Sequence, residues 1–445
     1  MRRTISARTL SRRAALALPL GLAGCGLFDN WFGEHKAPIP GKREPVLRSA
    51  DALHPDRGLL PVTLPPAVRN VAWPQAGGNP AHDMGHLAAN PALSVAWTVD
   101  IGAGGGYRQK ILTQPVVADG VVYAMDSAAD VSALELATGR VLWRTKTRGK
   151  KDRSTNVGGG LGLADGVLYA VNGLGSALAL NPSQGEVRWR VGIEAPGRSP
   201  PTIAAGRVFL TTIDDRLLAL DAKDGRELWK YQAQNATTAL LGQPAPAFSE
   251  GLIVAGFGSG ELTALRADAG SVVWTDTLAA AGPDTLADIA SIRGNPVISG
   301  GRVFAMGMGG ITLALDLHAG RRLWERAVGG LNGPWIAGDW LFVVTLDQVL
   351  AALRAVDGGV GWAAPLPAYN NPKDQSGPLT WFGPVLAGDR LVVAGTSAEA
   401  LAVSPYTGQI LGRQKLPATA APVQPAVASG TVLLVAEDGR LMALR

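Results

Sequence analysis

Histidine and cysteine are the side chains best suited to metal binding or nucleophilic attack, and this chain of 445 residues carries five of the first and one of the second. His82-Asp-Met-Gly-His86 has the i, i+4 spacing that a helix turns into a pair of metal ligands. It sits in Gly77-Gly-Asn-Pro-Ala-His-Asp-Met-Gly-His86, which is punctuated by glycine and proline and has no helical pattern, and a third ligand has no evident source. His35, His54 and His318 are scattered. Gly102-Ala-Gly-Gly-Gly106 and Gly158-Gly-Gly160 lack the strand–helix context and distant acid of a dinucleotide site. No Gly-x-Ser-x-Gly elbow, His-Glu-x-x-His helix or P-loop occurs. Asp214, Asp215 and Asp221 fall on turns, where aspartate bonds its local backbone rather than forming an acid/base pair. The sequence predicts no catalytic residue, no metal site and no cofactor.

These residues hang on a repeating frame. Ala219-Leu-Asp-Ala-Lys-Asp-Gly225-Arg-Glu-Leu-Trp229 carries an alanine, a glycine six residues on and a tryptophan four after that. The frame recurs at Ala133/Gly139/Trp143, Ala179/Gly185/Trp189, Ala264/Gly270/Trp274, Ala314/Gly320/Trp324 and Ala352/Gly358/Trp362. A degenerate copy, Ala402/Gly408, has Gly412 at the tryptophan position, and the last copy reads Ala443-Leu444-Arg445. A second glycine precedes each alanine: Gly120, Gly166, Gly206, Gly251, Gly301, Gly338, Gly388 and Gly430. The short runs after it, such as Val121-Val-Tyr-Ala-Met125 and Leu391-Val-Val-Ala394, are rich in β-branched and aromatic residues and read as strands. Four strands per unit of about forty residues is the size of a propeller blade.

Eight upstream glycines predict eight units. The eighth lacks its tryptophan strand, and Pro91-Ala-Leu-Ser-Val-Ala-Trp97-Thr-Val-Asp100 is a tryptophan strand without a unit. Pairing the two closes the ring and removes an exposed edge. The expected fold is an all-β, eight-bladed propeller of four-stranded blades over residues 71–445. Trp97, Trp143, Trp189, Trp229, Trp274, Trp324 and Trp362 are its structural wedges, each burying a large apolar face while its indole N–H reaches a carbonyl.

The net charge of +5 resides at the start of the chain. Residues 1–24 hold Arg2, Arg3, Arg8, Arg12 and Arg13 and no acid, so 36 basic residues face 36 acidic ones in the remainder. That balance gives no general basic field for nucleic acid. A basic start, the apolar run Ala14–Ala23 and Leu22-Ala-Gly-Cys25 form a targeting segment over 1–24. Leu22-Ala-Gly-Cys25 resembles a bacterial lipoprotein cleavage box, which implies that Cys25 becomes the acylated first residue. Gly26 lacks the aspartate that such lipoproteins use for inner-membrane retention, so the expected place is the periplasmic face of the outer membrane, held by the lipid. Ser11-Arg12-Arg13 also resembles a twin-arginine signal, which leaves the export route open. Residues 25–70, with seven prolines and no periodicity, read as anchor and flexible tether with a reach of roughly 35–40 Å. The cluster Arg144, Lys146, Arg148, Lys150, Lys151 and Arg153 reads as a solvated loop or as a contact for acidic headgroups or an acidic partner.

Two connections are unusually apolar: Ala236-Thr-Thr-Ala-Leu-Leu-Gly242 before unit four, and residues 277–293 before unit five. Apolar surface rimmed by polar groups marks partner sites, though short helices folded back on the rim would look the same.

The alanine–glycine–tryptophan frame resembles the tryptophan-docking repeat of quinoprotein-type propellers. With Leu22-Ala-Gly-Cys25, the tether, eight units and Trp73-Pro-Gln-Ala-Gly-Gly-Asn79, the chain is similar to the BamB family, lipoproteins of the outer-membrane β-barrel assembly (BAM) machinery. The resemblance implies a non-catalytic scaffold. It would bind a POTRA domain of the BamA-type barrel subunit through two neighbouring mid-propeller loops and help assemble nascent outer-membrane proteins. By position these are the two apolar connections. Leu240 matches a leucine of the family's first loop, whereas Leu241 stands where an arginine is expected. The acid pair of the second loop is replaced by Ser291 and Arg293, with Asp288 nearby. Leu240, Leu241, Asp288 and Arg293 are thus the candidate partner-binding residues. Two alternatives share the repeat: a pyrroloquinoline-quinone (PQQ) dehydrogenase, whose vicinal cysteine pair this chain lacks, and a general cell-envelope binding propeller.

Overall fold

Asp119-Gly120 shows how a unit begins. Both residues have positive φ, 51° and 74°, the conformations of a type I′ turn, which joins the strand Val116–Ala118 to Val121–Met125. All eight upstream glycines share a positive φ. Val131–Glu135 and Val141–Thr145 complete the first blade, with Gly139 (φ 76°) donating its N–H to the Glu135 carbonyl at 2.8 Å. The computed structural model describes residues 52–106, 109–149, 155–236, 241–278 and 291–445. They form eight four-stranded antiparallel sheets in a ring, the eight-bladed propeller the sequence predicts. In the closing sheet Val95–Asp100 pairs with Arg440–Leu444, and Trp97 stands opposite Ala443. An exposed hairpin, Tyr369–Asn371 with Ser376–Pro378, separates blades six and seven.

The repeat residues meet at the seams. Each frame alanine is the cross-strand neighbour of its tryptophan, as Ala219 is of Trp229. On the alanine's other side stands Tyr123, Tyr169, Phe209, Phe304 or Phe342 in five blades, with ring centroids 5.8–6.3 Å from the indole. A larger residue between them would hold these rings apart. Each indole then leans onto the following blade. Its N–H donates to a backbone carbonyl there at 2.7–3.3 Å, from Trp97 to Leu136 through to Trp362 to Pro405. The same indole covers that blade's frame glycine: a Cβ on Gly139, Gly185, Gly225, Gly270, Gly320, Gly358 or Gly408 would lie 2.4–2.8 Å from an indole carbon. Glycine is required there for its φ and for lack of room.

The sequence places the start of the ring at residue 71 and a free tether before it; the structure corrects this. From Ala52 the chain already lies on the ring. Leu53 and Val62 are buried, and Asp56 exchanges bonds with Val360 at 2.8 and 2.9 Å and pairs with Arg326 at 3.2 Å. Isolated apolar residues in a proline-rich coil have no periodicity to betray them, yet each fills a groove and contributes about 1.5–3 kcal/mol.

Residues 70–90 then form a belt that touches every blade. Asn70 accepts from Ser429, Trp73 exchanges backbone bonds with Val117, and the Pro74 carbonyl accepts from Leu163. Gln75 uses its side-chain amide as a peptide group, bonding both N–H and C=O of Ile203 at 2.9 Å. Pro80, Ala81 and Leu87 offer carbonyls to Phe248, Ile298 and Gly388, and the Gly85 carbonyl takes the Trp335 indole N–H at 2.9 Å. Asn90 returns to Gly430 of blade eight. Five of these partners, Val117, Leu163, Ile203, Phe248 and Ile298, are bonded through the backbone of the innermost strands, whose axial edges would otherwise bury unpaired groups.

Alanine substitution separates the two demands on glycine. Gly206→Ala meets positive φ alone, with open space at its Cβ, and is expected to cost about 1–2 kcal/mol in urea unfolding. Gly225→Ala adds displacement of the Trp189 indole and is expected to cost roughly 2–5 kcal/mol.

Candidate functional site

The two apolar connections leave neighbouring blades. One links Glu227–Gln232 of blade three to Ala247–Ser249 of blade four, and the next links Val272–Thr277 to Val297–Ser299 of blade five. Leu240 and Asp288 lie outside the described residues, as does Cys25. The feet of both connections are fixed. Asp215, on a turn at φ 55°, accepts the Ala236 N–H at 3.0 Å, the Gly258 N–H at 3.0 Å and the Gln243 amide at 2.7 Å. Burial pushes the Asp215 carboxyl pKa up, against those three donors. The second connection is held by Leu278 N–H to Gly260 at 2.9 Å, Ile292 N–H to Phe257 at 3.0 Å, and the Ser291 carbonyl accepting from Met308 at 3.0 Å. A cavity of about 30 Å³ between the feet is lined by Ala236, Ser291, Asp215 and Arg198. The feet of the two connections are therefore held on adjacent blades by hydrogen bonds to turns.

Of the four predicted contact residues, Leu241 is 44% exposed at the base of the first connection. Arg293 is not on an outward surface: its guanidinium turns to the axis, donates to the Pro422 carbonyl at 3.2 Å, and has its pKa lowered by burial. It lines an axial cavity of about 70 Å³ together with Gly242, Gln114 and Asn332, so the axial ends of the two connections do meet. Asp215 was legible only as a turn residue; nothing in an Asp-Asp pair signals the clamp that it forms across two blades.

The histidine pair does not converge. His82 is buried with Nδ1 on the Pro296 carbonyl at 2.7 Å, while His86 lies between the carbonyls of Pro65, at 2.7 Å, and Gly388, at 2.9 Å. Both serve the belt. In the basic cluster, Arg144 donates to the Asp100 carbonyl at 2.6 Å, and Lys150, Lys151 and Arg153 lie outside the described residues.

Residues 127–364 and 346–445 match the family described as outer membrane protein assembly factor BamB. A relative of that name from Salmonella typhimurium is 29% identical over 360 residues, covering 79% of this chain and 88% of its own. One from Escherichia coli is 28% identical over 359 residues, with the same coverage of 79% and 88%. Among solved structures, BamB from Moraxella catarrhalis superposes with a TM-score of 0.67 at 19% identity, covering 79% of this chain and 99% of that one. The quinohemoprotein alcohol dehydrogenase of Comamonas testosteroni superposes with a TM-score of 0.65 at 14% identity, covering 85% and 81%. At such identities the superpositions speak for the fold alone.

His82 gives this region a pH signature. Desolvation lowers its pKa from 6.5 to about 4, so it is neutral when folded. Between those values the unfolded chain takes up a proton that the folded chain does not, and stability falls as pH drops from 6.5 towards 4. The loss is expected to reach about 3 kcal/mol. His82→Asn, which keeps a donor for Pro296, should flatten this part of the stability–pH curve measured by urea unfolding.

Proposed function

Because the chain belongs to the family of outer membrane protein assembly factor BamB, we propose that it is a non-catalytic scaffold on the periplasmic face of the outer membrane. It binds a POTRA domain of the BamA-type barrel subunit and aids the assembly of nascent outer-membrane proteins. The observation that carries this reading is the pair of apolar connections on adjacent blades, with feet clamped by Asp215 and by the Phe257–Gly260 turn. Leu240 and Leu241 supply the apolar contact and Asp288 a polar rim; Arg293 shapes the axial end of the second connection. Acylated Cys25 holds the ring at the membrane.

The axial space supports scaffold over enzyme. Small-molecule sites occupy roughly 300–1,000 Å³, whereas the axial cavity measures about 70 Å³ and is lined by Gln114, Gly242, Arg293 and Asn332. Belt residue Ala76 lines it as well, and the chain's single cysteine offers no vicinal pair. These residues do not fit a tricyclic quinone.

Leu240→Asp with Leu241→Asp is expected to abolish co-purification of the barrel subunit from envelope extracts. The thermal midpoint should move by no more than about 2 °C, as for surface changes. Retained co-purification rejects these leucines as the docking surface. Cys25→Ser is expected to move the protein from the membrane to the soluble periplasmic fraction; continued sedimentation with outer membranes would disprove the anchor.

A further inference from the structure

Seven seams of the ring are filled by an indole, and the eighth, between blades seven and eight, is not. At that seam the strand Ile410–Lys415 carries Gly412 opposite Ala402, the register in which every other blade sets its tryptophan opposite its alanine. The backbone does not ask for this glycine. Gly412 lacks the left-handed φ of the frame glycines, and a Cβ built on it meets nothing within 4 Å. At this position lies a cavity of about 340 Å³, floored by Ala400, Ala402 and Gly412 and walled by Leu411 and by Leu93, just before the closing strand of blade eight. A larger cleft, of about 650 Å³, opens beside the Trp189 seam, but there the indole is already part of the lining, whereas at Gly412 the position opposite the alanine carries no side chain.

The surroundings suit an aromatic guest. Leu411 is 58% and Ile410 39% exposed, an apolar lip on the outermost strand of its blade. Arg390 and Arg413 line the cavity as well. Arg390 is already turned to the carbonyls of Asn90 and Pro91, and Arg413 to Glu399 at 3.5 Å, so both guanidinium groups are held beside the seat, where the face of a ring attracts a cation. The strand Ile410–Lys415 has one edge paired with Glu399–Val403 and, among the described residues, no strand on the other, which an extended chain can join by backbone hydrogen bonds.

We propose that this open seat receives an aromatic side chain, an indole above all, from an extended segment of an unfolded outer-membrane client. The seven filled seams identify the chemistry of the guest. The client as its source rests on the assembly role proposed above: strands of membrane β-barrels alternate apolar and polar residues and carry aromatic girdles at both interfaces. The client then completes, from outside, the wedge that the chain omits.

The test uses the full mature protein and a fluorescein-labelled ten-residue peptide of alternating apolar and polar residues with one central tryptophan, beside the same peptide with alanine there. Fluorescence anisotropy is expected to show the tryptophan peptide binding at least about ten-fold tighter, the contribution of a buried aromatic anchor. Gly412→Trp, which seats its own indole, is expected to remove that preference and raise the thermal midpoint, while Gly412→Ser keeps the preference. Leu93→Trp fills the seat from blade eight and gives the same loss should Gly412→Trp fail to fold. Equal affinity for the two peptides, or a preference that survives both filled variants, overturns the proposal. Co-purification of the barrel subunit, measured on the same variants, is expected to persist. Its absence from the wild type would sink the assembly reading instead, whatever the peptides do.

Discussion

The contact on which this ring depends is an indole resting on a glycine of the next blade. It is directional: each tryptophan lays its ring forward on that glycine and gives its N–H to a backbone carbonyl of the same next blade. Each blade is thus coupled to its neighbours through a few specified atoms, as in linear repeat proteins, but here the coupling returns to its start. The return goes through Trp97, which is covalently part of the N-terminal side and structurally part of blade eight, so blade one docks against a blade built from both sides of the chain. Every seam but one uses the same wedge. The exception at Gly412 is therefore a departure from a rule that the molecule itself states seven times.

A second constraint acts at the axis. Eight innermost strands face one another there, and their free edges carry N–H and C=O groups that cannot be left dry without cost. The belt meets this demand with whatever group falls at the right place: carbonyls of Pro74, Pro80 and Ala81, and the side chain of Gln75 in the role of a peptide. Proline suits such a strip, since it supplies an acceptor without a donor that would itself need a partner. The narrow axial space on which the non-catalytic reading leans is in part a product of this strip, because Ala76 stands among its walls.

Much of this architecture was legible in the sequence because it repeats. The alanine–glycine–tryptophan spacing gave blade number, the identity of the closing strand and the purpose of seven tryptophans, since one physical requirement is met again and again by the same residue types. The belt was not legible. Its contacts follow no period, and most of its bonds come from backbone N–H and C=O groups, which leave no signature in residue type. The docking of Leu53 and Val62 was hidden for the same reason, as apolar residues isolated among prolines and charges look like tether. At the candidate site, sequence position located two apolar connections on adjacent blades but not the direction of each side chain. Arg293 is turned inward by the bond to Pro422, while Leu241 remains at the surface.

The strip from Asn70 to Asn90 has a fixed number of residues and must meet every blade once before returning to the one it left. It therefore acts as a gauge of circumference. Arrays of repeats ordinarily gain or lose a unit with little penalty, because each module sees only its neighbours. Here a duplicated module would leave the gauge too short and a deleted one would leave it slack, in either case stranding amides at the centre. Drift in module number is thus restrained by twenty-one residues that belong to no module.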